Sequence, residues 1–442
     1  MTAPAPAPPR DGAGRTARSA PGPLRTELRR GLGPWTGAAI VVTMLVTMYA
    51  KAPEWQIRWQ DAENLLHPLA GLLCGPLAMA AGCLQGGRDR RLGTEDLWAS
   101  VPRSPLPRLT VAAAPSALWP AAAVLLGDAG VLLAVWPYAS WGRPALAPLL
   151  ADAVAVGAMG LVGHVVGRVV RWRLTAPLLA VAGYTGFAYA DFTSASARWL
   201  LPSAQFSAAE YRQVWWYAPA SAAWTAGLAL AFLLAYGLRS SRARLLALVP
   251  LTVAACAAAA ILRLPADGGP WRIDPAAVRP VCDDGTPRVC VVALDARLLP
   301  ALTETLEPVN ERLRGLPGAP ARWAVGRMEE EPGDVTLLDI AQDVVRNRIE
   351  DPALYRHYAV MQLFSKECRE GDLTGPHAER AMDIHLAVAQ WLAPSPPGYG
   401  PHAPGTRAHL DRLRAKSPAE QRAYLVRYLA ANGCRPGEVP VP

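Results

Sequence analysis

Residues 146–170 read LAPLLADAVAVGAMGLVGHVVGRVV, and the basic segment RWR follows them directly. A helix needs about 20 apolar residues to cross the roughly 30 Å hydrocarbon layer of a bilayer, and this stretch supplies them. Comparable runs lie at residues 34–50, 64–84, 109–136, 174–190, 216–237 and 245–264. The third run in the chain is long enough to be tilted, or broken at Pro115 or Pro120. The sequence therefore predicts an all-α polytopic membrane bundle of about seven transmembrane helices.

Arginines flank the predicted spans unequally, and this bias predicts the orientation of the chain. They are concentrated before the first span and in the loops after the second, fourth and sixth spans, whereas the alternate loops carry few. Because basic loops stay in the cytoplasm, we expect the amino terminus inside and residues 265–442 outside the plasma membrane. The net charge of +8 is then a signal of topology, and we expect no nucleic-acid partner.

The regions outside the spans differ in composition. Residues 1–23 are rich in Ala, Pro, Gly and Arg and are expected to form a disordered cytoplasmic tail. The same bias is typical of a GC-rich bacterial genome. Residues 24–264 form the predicted transmembrane domain. Residues 265–442 are predicted to form a mainly helical α+β extracytoplasmic domain, with a strand at 288–294 and helices at 298–313, 335–349, 352–366, 377–392 and 418–431. Pro308 is expected to kink or break the first of these helices.

Cysteine usage provides independent evidence about the compartment. Three cysteines lie in apolar runs and are expected to act as small hydrophobes: Cys74, Cys83 and Cys256. The other four all lie in the predicted external domain: Cys282, Cys290, Cys368 and Cys434. An even number in an oxidising compartment indicates disulfides, and four cysteines allow three pairings. We favour Cys282–Cys290 with Cys368–Cys434, against the alternative of four buried thiols. No CxxC or HExxH spacing indicates a zinc site.

The loop after the second span reads QGGRDRRLGTEDLWASVPRSPLPR at residues 85–108. Thr94 is placed to cap a short helix, Glu95 suits the positive first turn, and Pro102 stops it. Leu97 and Trp98 fall on one face of this helix. A helix this short has little stability alone, so these two side chains are expected to dock onto lipid or another protein.

A second amphipathic segment precedes the first span. Residues 24–32 read LRTELRRGL, and leucines at every fourth position predict either a surface helix or a plain basic flank. Together with the pattern RDRRxGTEDLxxSxPRS, this segment resembles the permease subunits of ABC-2-type exporters. The resemblance covers the membrane half only. It implies an elbow helix that includes Glu27, Arg29 and Arg30.

The resemblance also implies that the loop after the second span is the coupling helix, which sits in a cleft of the ATPase subunit. The implied coupling residues are Arg91, Gly93, Thr94, Glu95, Leu97, Trp98 and Pro102. The chain departs from the family pattern in its seventh span and its external C-terminal domain. The alternative is that the loop is an ordinary basic inside loop with a common helix start.

Ionisable groups within the spans are costly and mark candidate functional positions. Asp128 in the third span and His164 in the fourth either line a polar path or have structural roles. In the structural interpretation, which we favour, Asp128 lies near the outer water and His164 bonds to a neighbouring helix. Elsewhere no P-loop, metal-ligand spacing or nucleophile elbow occurs in the sequence. We therefore expect neither an enzyme site nor a cofactor.

The leading hypothesis is the permease subunit of an ABC-2-like exporter, embedded in plasma-membrane lipid and driven by a separate ATPase subunit. Two permease copies are expected, as in a homodimer. The alternative is a non-transporting membrane protein whose external domain senses a ligand or binds a partner. A membrane-embedded enzyme lacks any candidate catalytic set.

Overall fold

The computed structural model describes residues 22–94, 105–191, 196–204, 208–238, 240–263, 269–329, 331–337, 344–365, 377–396, 403–431 and 435–442. Most of the predicted tail at 1–23 therefore lies outside the described residues. So do Glu95, Leu97, Trp98 and Pro102 of the predicted coupling segment. Cys368 and Cys434 also lie outside them.

The membrane half is built of helices that follow the predicted apolar runs. In chain order they are α1 (Pro23–Arg30), α2 (Gly33–Ala50), α3 (Trp59–Gly86), α4 (Pro105–Val135), α5 (Leu146–Val169), α6 (Thr175–Asp191), α7 (Tyr217–Gly237) and α8 (Ser241–Arg263). Within the described residues, all except α1 and α6 are long and apolar enough to cross a membrane, which makes six candidate spans. The all-α polytopic bundle is thus confirmed in its coarse form, and α4 runs unbroken through Pro115 and Pro120.

Helix α6 covers the run predicted at 174–190 and is 17 residues long. Its length of about 26 Å is slightly less than the roughly 30 Å hydrocarbon layer. It packs along the second half of α3 and exposes Leu178 and Val181 on the outside of the bundle. The count of seven spans stays a prediction.

Glycines set the closest helix contact in the bundle, between α3 and α5. A Cβ atom at Gly82 would overlap the carbonyl oxygen of Gly160, and one at Gly163 would overlap the carbonyl oxygen of Met79. The two backbones can approach this closely only without side chains at these positions. Helices α3 and α5 therefore form the packed centre of the membrane half.

The C-terminal domain combines a mixed sheet with helices. Its strands are β2 (Trp271–Ile273), β3 (Pro280–Cys282), β4 (Arg288–Val292), β5 (Arg322–Val325), β6 (Asp334–Leu337), β7 (Val344–Val345) and β8 (Arg348–Ile349), while β1 (Tyr211–Gln213) precedes α7 and pairs with β2. The sheet order is β3-β4-β5-β6, antiparallel between β3 and β4 and parallel between the others. Its helices are α9 (Leu299–Leu313), α10 (Pro352–Ser365), α11 (Ala378–Leu392), α12 (Pro404–Ala415) and α13 (Pro418–Ala430).

The core of this domain lies between the sheet and α9. Val289, Val291 and Trp323 of the central strands are fully buried against Leu302 and Leu306 of the helix. Parallel strands need a long crossover connection, and α9 provides it between β4 and β5. The burial on both faces explains why the central strands read as continuous apolar runs.

Three sequence predictions about this domain have clear outcomes. The disulfide between Cys282 and Cys290 is confirmed, and it joins paired positions of β3 and β4. The helix predicted at 335–349 is wrong in the part that the structure describes, where β6, β7 and β8 occur instead. Strand β6 is buried except at Thr336 and pairs with β5, so tertiary pairing overrides a weak helical pattern. Helix α9 continues through Pro308 without a break.

The domain docks on the loops that follow α2 and α4. Ile57 belongs to the hydrophobic core of the domain although it lies just before α3. Next to it, Arg58 donates two hydrogen bonds of 2.6 and 2.8 Å to the carboxylate of Asp295, and both side chains are buried. We call the end of the bundle beneath these contacts the domain end, and the opposite end, near α1, the basic end.

The turn between β7 and β8 makes further contacts at the domain end. Arg346 and Asn347 have positive φ values of 53° and 60°, a backbone conformation that costs non-glycine residues free energy. The Arg346 amide donates to the Gln56 carbonyl at 3.1 Å, and its guanidinium donates to the Gln56 side chain at 2.7 Å. Asn347 donates to the carbonyl of Tyr138 at 2.8 Å. This unusual turn is thus held by loops from two different helices.

Candidate functional site

The chain that leaves α3 at the basic end begins the predicted coupling segment. A helical turn at Arg88–Arg91 follows α3, and Gly93 then adopts a φ of 64°, which redirects the chain. The Thr94 amide and hydroxyl both donate to the carbonyl of Asp89, at 3.0 and 3.2 Å. Arg91 donates to the carbonyl of Leu84 in the last turn of α3. These bonds fix the start of the loop against the helix that carries it.

Helix α1 contacts this loop from one side. Arg88 and Glu27 form an ion pair of 3.4 Å. The indole of Trp119 on α4 donates to the carbonyl of Leu28 at 2.9 Å, and the same ring packs on Gly33 at the start of α2. The amphipathic segment therefore forms a helix that is tied to both the loop and the bundle.

Helix α5 contacts the loop from the other side. Arg168 in its last turn pairs with Asp89 at 2.9 Å. Arg90 donates to the carbonyls of Gly167, Arg168 and Val170 at 3.0, 2.7 and 3.0 Å. Carbonyls at a helix carboxyl end lack intrahelical partners and carry partial negative charge, so an arginine stabilises this end. The loop is thus bound to α1, α3 and α5 together.

Only some of the coupling residues implied by the resemblance lie among the described residues and take part in these contacts. Arg91, Gly93 and Thr94 shape the first turn of the loop. Asp89, Arg90 and Arg168 make the contacts between the loop and α5, and none of them had a predicted role. The sequence contains a signal for these contacts. Positive and negative charges are mixed in RDRR, and an arginine lies in the last turn of the apolar run at 146–170.

The two predicted intramembrane candidates lie in different layers. His164 lies near the basic end, where its Nδ1 atom is 3.1 Å from the Ser116 hydroxyl on α4 and Arg168 approaches its Nε2 atom at 3.4 Å. Asp128 is 12 residues beyond Ser116 on the same helix, which corresponds to about 18 Å along the axis. The structure therefore does not bring Asp128 and His164 together.

Asp128 instead shares a layer with a histidine–aspartate pair near the domain end. The Nδ1 atom of His67 on α3 lies 2.7 and 2.9 Å from the two carboxylate oxygens of Asp152 on α5. The Asp128 side chain is buried, and the electrostatic interaction of its carboxylate is with Asp152. The sequence contains a signal for this pairing, because His67 and Asp152 both lie in the domain-end halves of their helices.

A cavity of about 70 Å³ reaches the histidine–aspartate pair from the domain end. Glu63, Asn64 and His67 line it from α3, and Asp152 lines it from α5. Residues of β1 and of the chain around β2 close the other side: Tyr211, Arg212, Gln213, Trp271, Asp274 and Ala277. A cavity of this volume has room for several water molecules.

Within the part of the chain that the structure describes, no three His, Cys, Asp or Glu side chains are grouped closely enough to hold a metal ion. Comparison with known proteins adds no relative, because no family model, no curated protein and no solved structure matches the chain.

Proposed function

We propose that the chain is the permease subunit of an ABC-2-like exporter, driven by a separate ATPase subunit. The observation that carries this proposal is the double ion pairing of the loop after α3. Arg88 pairs with Glu27 on α1, and Asp89 pairs with Arg168 on α5. A loop bound on both sides moves together with the helices that it contacts, as is required of a surface that receives a push from a partner.

The contacts beneath the loop support transmission of such a push into the bundle. Arg90 binds three carbonyls at the end of α5, so the loop cannot shift far without this helix. Helices α3 and α5 are in backbone contact through Gly82 and Gly163, so no side chains separate them at these positions. Closure of an ATPase dimer on the loop would then displace α3 and α5 as one unit.

We infer that α6 is a seventh crossing helix and that the C-terminal domain is extracytoplasmic. Helix α6 starts just after Val170, which is bound by Arg90 at the basic end. It leads to the turn Ser196–Leu200, where Trp199 packs against Gly269 before β2. Helix α6 would thus run from the basic end of the bundle to the domain end. The disulfide in the domain accords with an oxidising compartment.

The partners follow from this arrangement. The apolar outer faces of α2, α6 and α8 suit plasma-membrane lipid. The basic end would face the cytoplasm and the ATPase subunit, and a second permease copy would complete a homodimer. The domain would stand at the exit of the transport path.

The first test is affinity purification of the full chain from native membrane in mild detergent. We expect an ATPase with a Walker motif to co-purify in stoichiometric amount with the wild-type protein. Replacing Leu97 and Trp98 together by Ala is expected to abolish the association, since these side chains are proposed to enter the ATPase cleft. Absence of any ATPase under several detergents would remove the transport hypothesis and favour a sensing or binding role for the domain.

A second variant separates binding from transmission. R168Q breaks the pairing between the loop and α5, so we expect the ATPase to associate normally but its hydrolysis to lose coupling to the permease. The matched control is R171Q, because Arg171 is an exposed arginine at the same end of the bundle. Equal hydrolysis rates in R168Q, R171Q and wild-type complexes would contradict the proposed transmission through α5.

A further inference from the structure

Three ionisable side chains from three helices lie at one depth near the domain end. His67 comes from α3, Asp128 from α4 and Asp152 from α5. Asp128 precedes the end of α4 at Val135, and Asp152 follows the start of α5 at Leu146, by similar numbers of residues. The helical rise places both about 10 Å inside the bundle. Ionisable groups at such a depth are costly and mark candidate sites of ion chemistry.

The charges of this layer are unequally compensated. His67 lies within hydrogen-bond distance of both oxygens of Asp152, so the imidazole balances that carboxylate when it is protonated. Asp128 is 3% exposed, and its Oδ2 atom has no hydrogen-bond partner in the part of the chain that the structure describes. An ionised carboxylate buried in this way would lack both water and a counter-charge.

The groups that face Asp128 do not supply the missing positive charge. Helix α2 carries no charged residue along its length. Helix α3 contributes His67, which is already engaged, the carboxyl of Glu63 nearer the domain end, and the thiol of Cys74. Helix α5 contributes Asp152, whose negative charge repels that of Asp128.

The remaining neighbours of the layer are also engaged. From α7, the Tyr217 hydroxyl donates to the carbonyl of Trp199 at 2.6 Å. At the mouth of the cavity Arg212 pairs with Asp274 at 3.4 Å, and Arg143 lines the same mouth. Arg212 lies on β1 and Arg143 in the loop before α5, so neither belongs to the helices that surround Asp128.

The cavity provides a route between this layer and the domain end. It is lined by both members of the histidine–aspartate pair, and its volume of about 70 Å³ accommodates several waters. Glu63 borders the route and accepts a hydrogen bond of 2.6 Å from the Ala145 amide, which fixes its carboxylate at the cavity wall. Water in this space could carry a proton to His67 and Asp152.

We propose that Asp128 and the His67–Asp152 pair form a proton-binding site that exchanges with the domain end through the cavity. Uptake transfers a proton from cavity water to the layer and leaves Asp128 neutral beside the balanced pair. Release returns that proton to cavity water and leaves two carboxylates facing one imidazolium. The proposed occupant is a proton, because no three His, Cys, Asp or Glu side chains among the described residues are grouped closely enough to hold a metal ion. The site is independent of the proposed ATPase coupling.

Infrared difference spectroscopy of the full chain in lipid nanodiscs tests this proposal. At about pH 7, where ordinary carboxyl groups are ionised, we expect the wild-type protein to show the carbonyl stretch of a protonated carboxyl. The band should shift when the buffer is changed to D₂O, because the cavity gives access to solvent. D128N should lose the area of one carboxyl from this band. E311Q, on the exposed face of α9, should keep it.

Two outcomes would overturn the proposal. One is an unchanged band in folded D128N, since the proton would then reside elsewhere. The other is a wild-type protein without any protonated carboxyl band at about pH 7, a result that does not depend on whether D128N folds. A further variant tests the pair: H67Q removes the balancing imidazolium, and we expect Asp152 to bind a proton and the band to gain area. No gain in folded H67Q would refute the role of His67.

Discussion

Replacing Arg58 by Met is expected to loosen the C-terminal domain from the membrane helices. Arg58 and Asp295 are 5% and 4% exposed and are joined by hydrogen bonds of 2.6 and 2.8 Å. Removing one partner of a buried ion pair leaves the other charge uncompensated and costs about 3–5 kcal/mol. Because Arg58 lies in the loop between α2 and α3, this cost falls on the docking of the domain and not on its internal core.

Hydrogen exchange in the β7–β8 turn measures this docking. The Arg346 amide donates to the Gln56 carbonyl across the same contact, so it exchanges when the domain lifts away. A loss of about 3–5 kcal/mol corresponds to exchange faster by about two to four orders of magnitude. The assay is exchange mass spectrometry on the full chain in nanodiscs, followed at the peptide that contains the β7–β8 turn.

Two further variants make the measurement specific. R212M removes the partner of Asp274 in an exposed pair of 3.4 Å, and such a change is worth about 0–1 kcal/mol, so exchange at Arg346 should stay near the wild-type rate. The double variant R58M/D295L should regain protection, because two apolar side chains can replace a buried pair at little cost. Wild-type exchange at Arg346 in folded R58M would refute the reasoning.

Three other predictions concern packing, capping and pH. G163V is expected to prevent close packing of α3 and α5, because the side chain would meet the Met79 carbonyl, and the thermal unfolding temperature in detergent should fall sharply; an unchanged temperature would contradict the backbone contact. S417A removes a capping box at α13 and should lower the free energy of unfolding of the domain by about 1 kcal/mol, measured by urea titration. Burial raises the pKa of Asp334, but hydrogen bonds from Arg322 and the backbone outweigh this and hold it below its ordinary value. Its contribution to stability is therefore present above about pH 4 and lost as the pH falls through the lowered pKa; D334N should flatten the dependence of unfolding free energy on pH in this range.

The apolar runs predicted the membrane helices well because burial in lipid imposes one requirement on every residue of a span. The second span was predicted to begin at residue 64, whereas α3 begins at Trp59. The missing turn contains Gln60, Asp61 and Glu63, which a criterion of apolar length excludes. Gln60 and Glu63 line the cavity. The criterion that found the helices therefore missed part of the wall of the cavity that leads to the candidate proton site.

The domain was harder to predict because its strands are short and pair across the chain. Strand β6 has only four residues, and its place is decided by parallel pairing with β5. The contact between Arg58 and Asp295 joins residues 237 positions apart, and no local pattern encodes such a contact. By contrast, the start of the helix predicted at 418–431 is confirmed at Pro418, and the capping box at Ser417 that marks it is encoded within four residues.

The β7–β8 turn has a mechanical consequence for the bundle beneath it. Arg346 binds Gln56, just beyond α2, and the next residue, Asn347, binds the carbonyl of Tyr138, just beyond α4. Neighbouring Cα atoms stay about 3.8 Å apart, so this turn fixes the distance between the segment after α2 and the segment after α4. A wider separation of α2 and α4 at this end must first break the contacts on one side of the turn. The domain thus resists separation of α2 and α4 at the domain end.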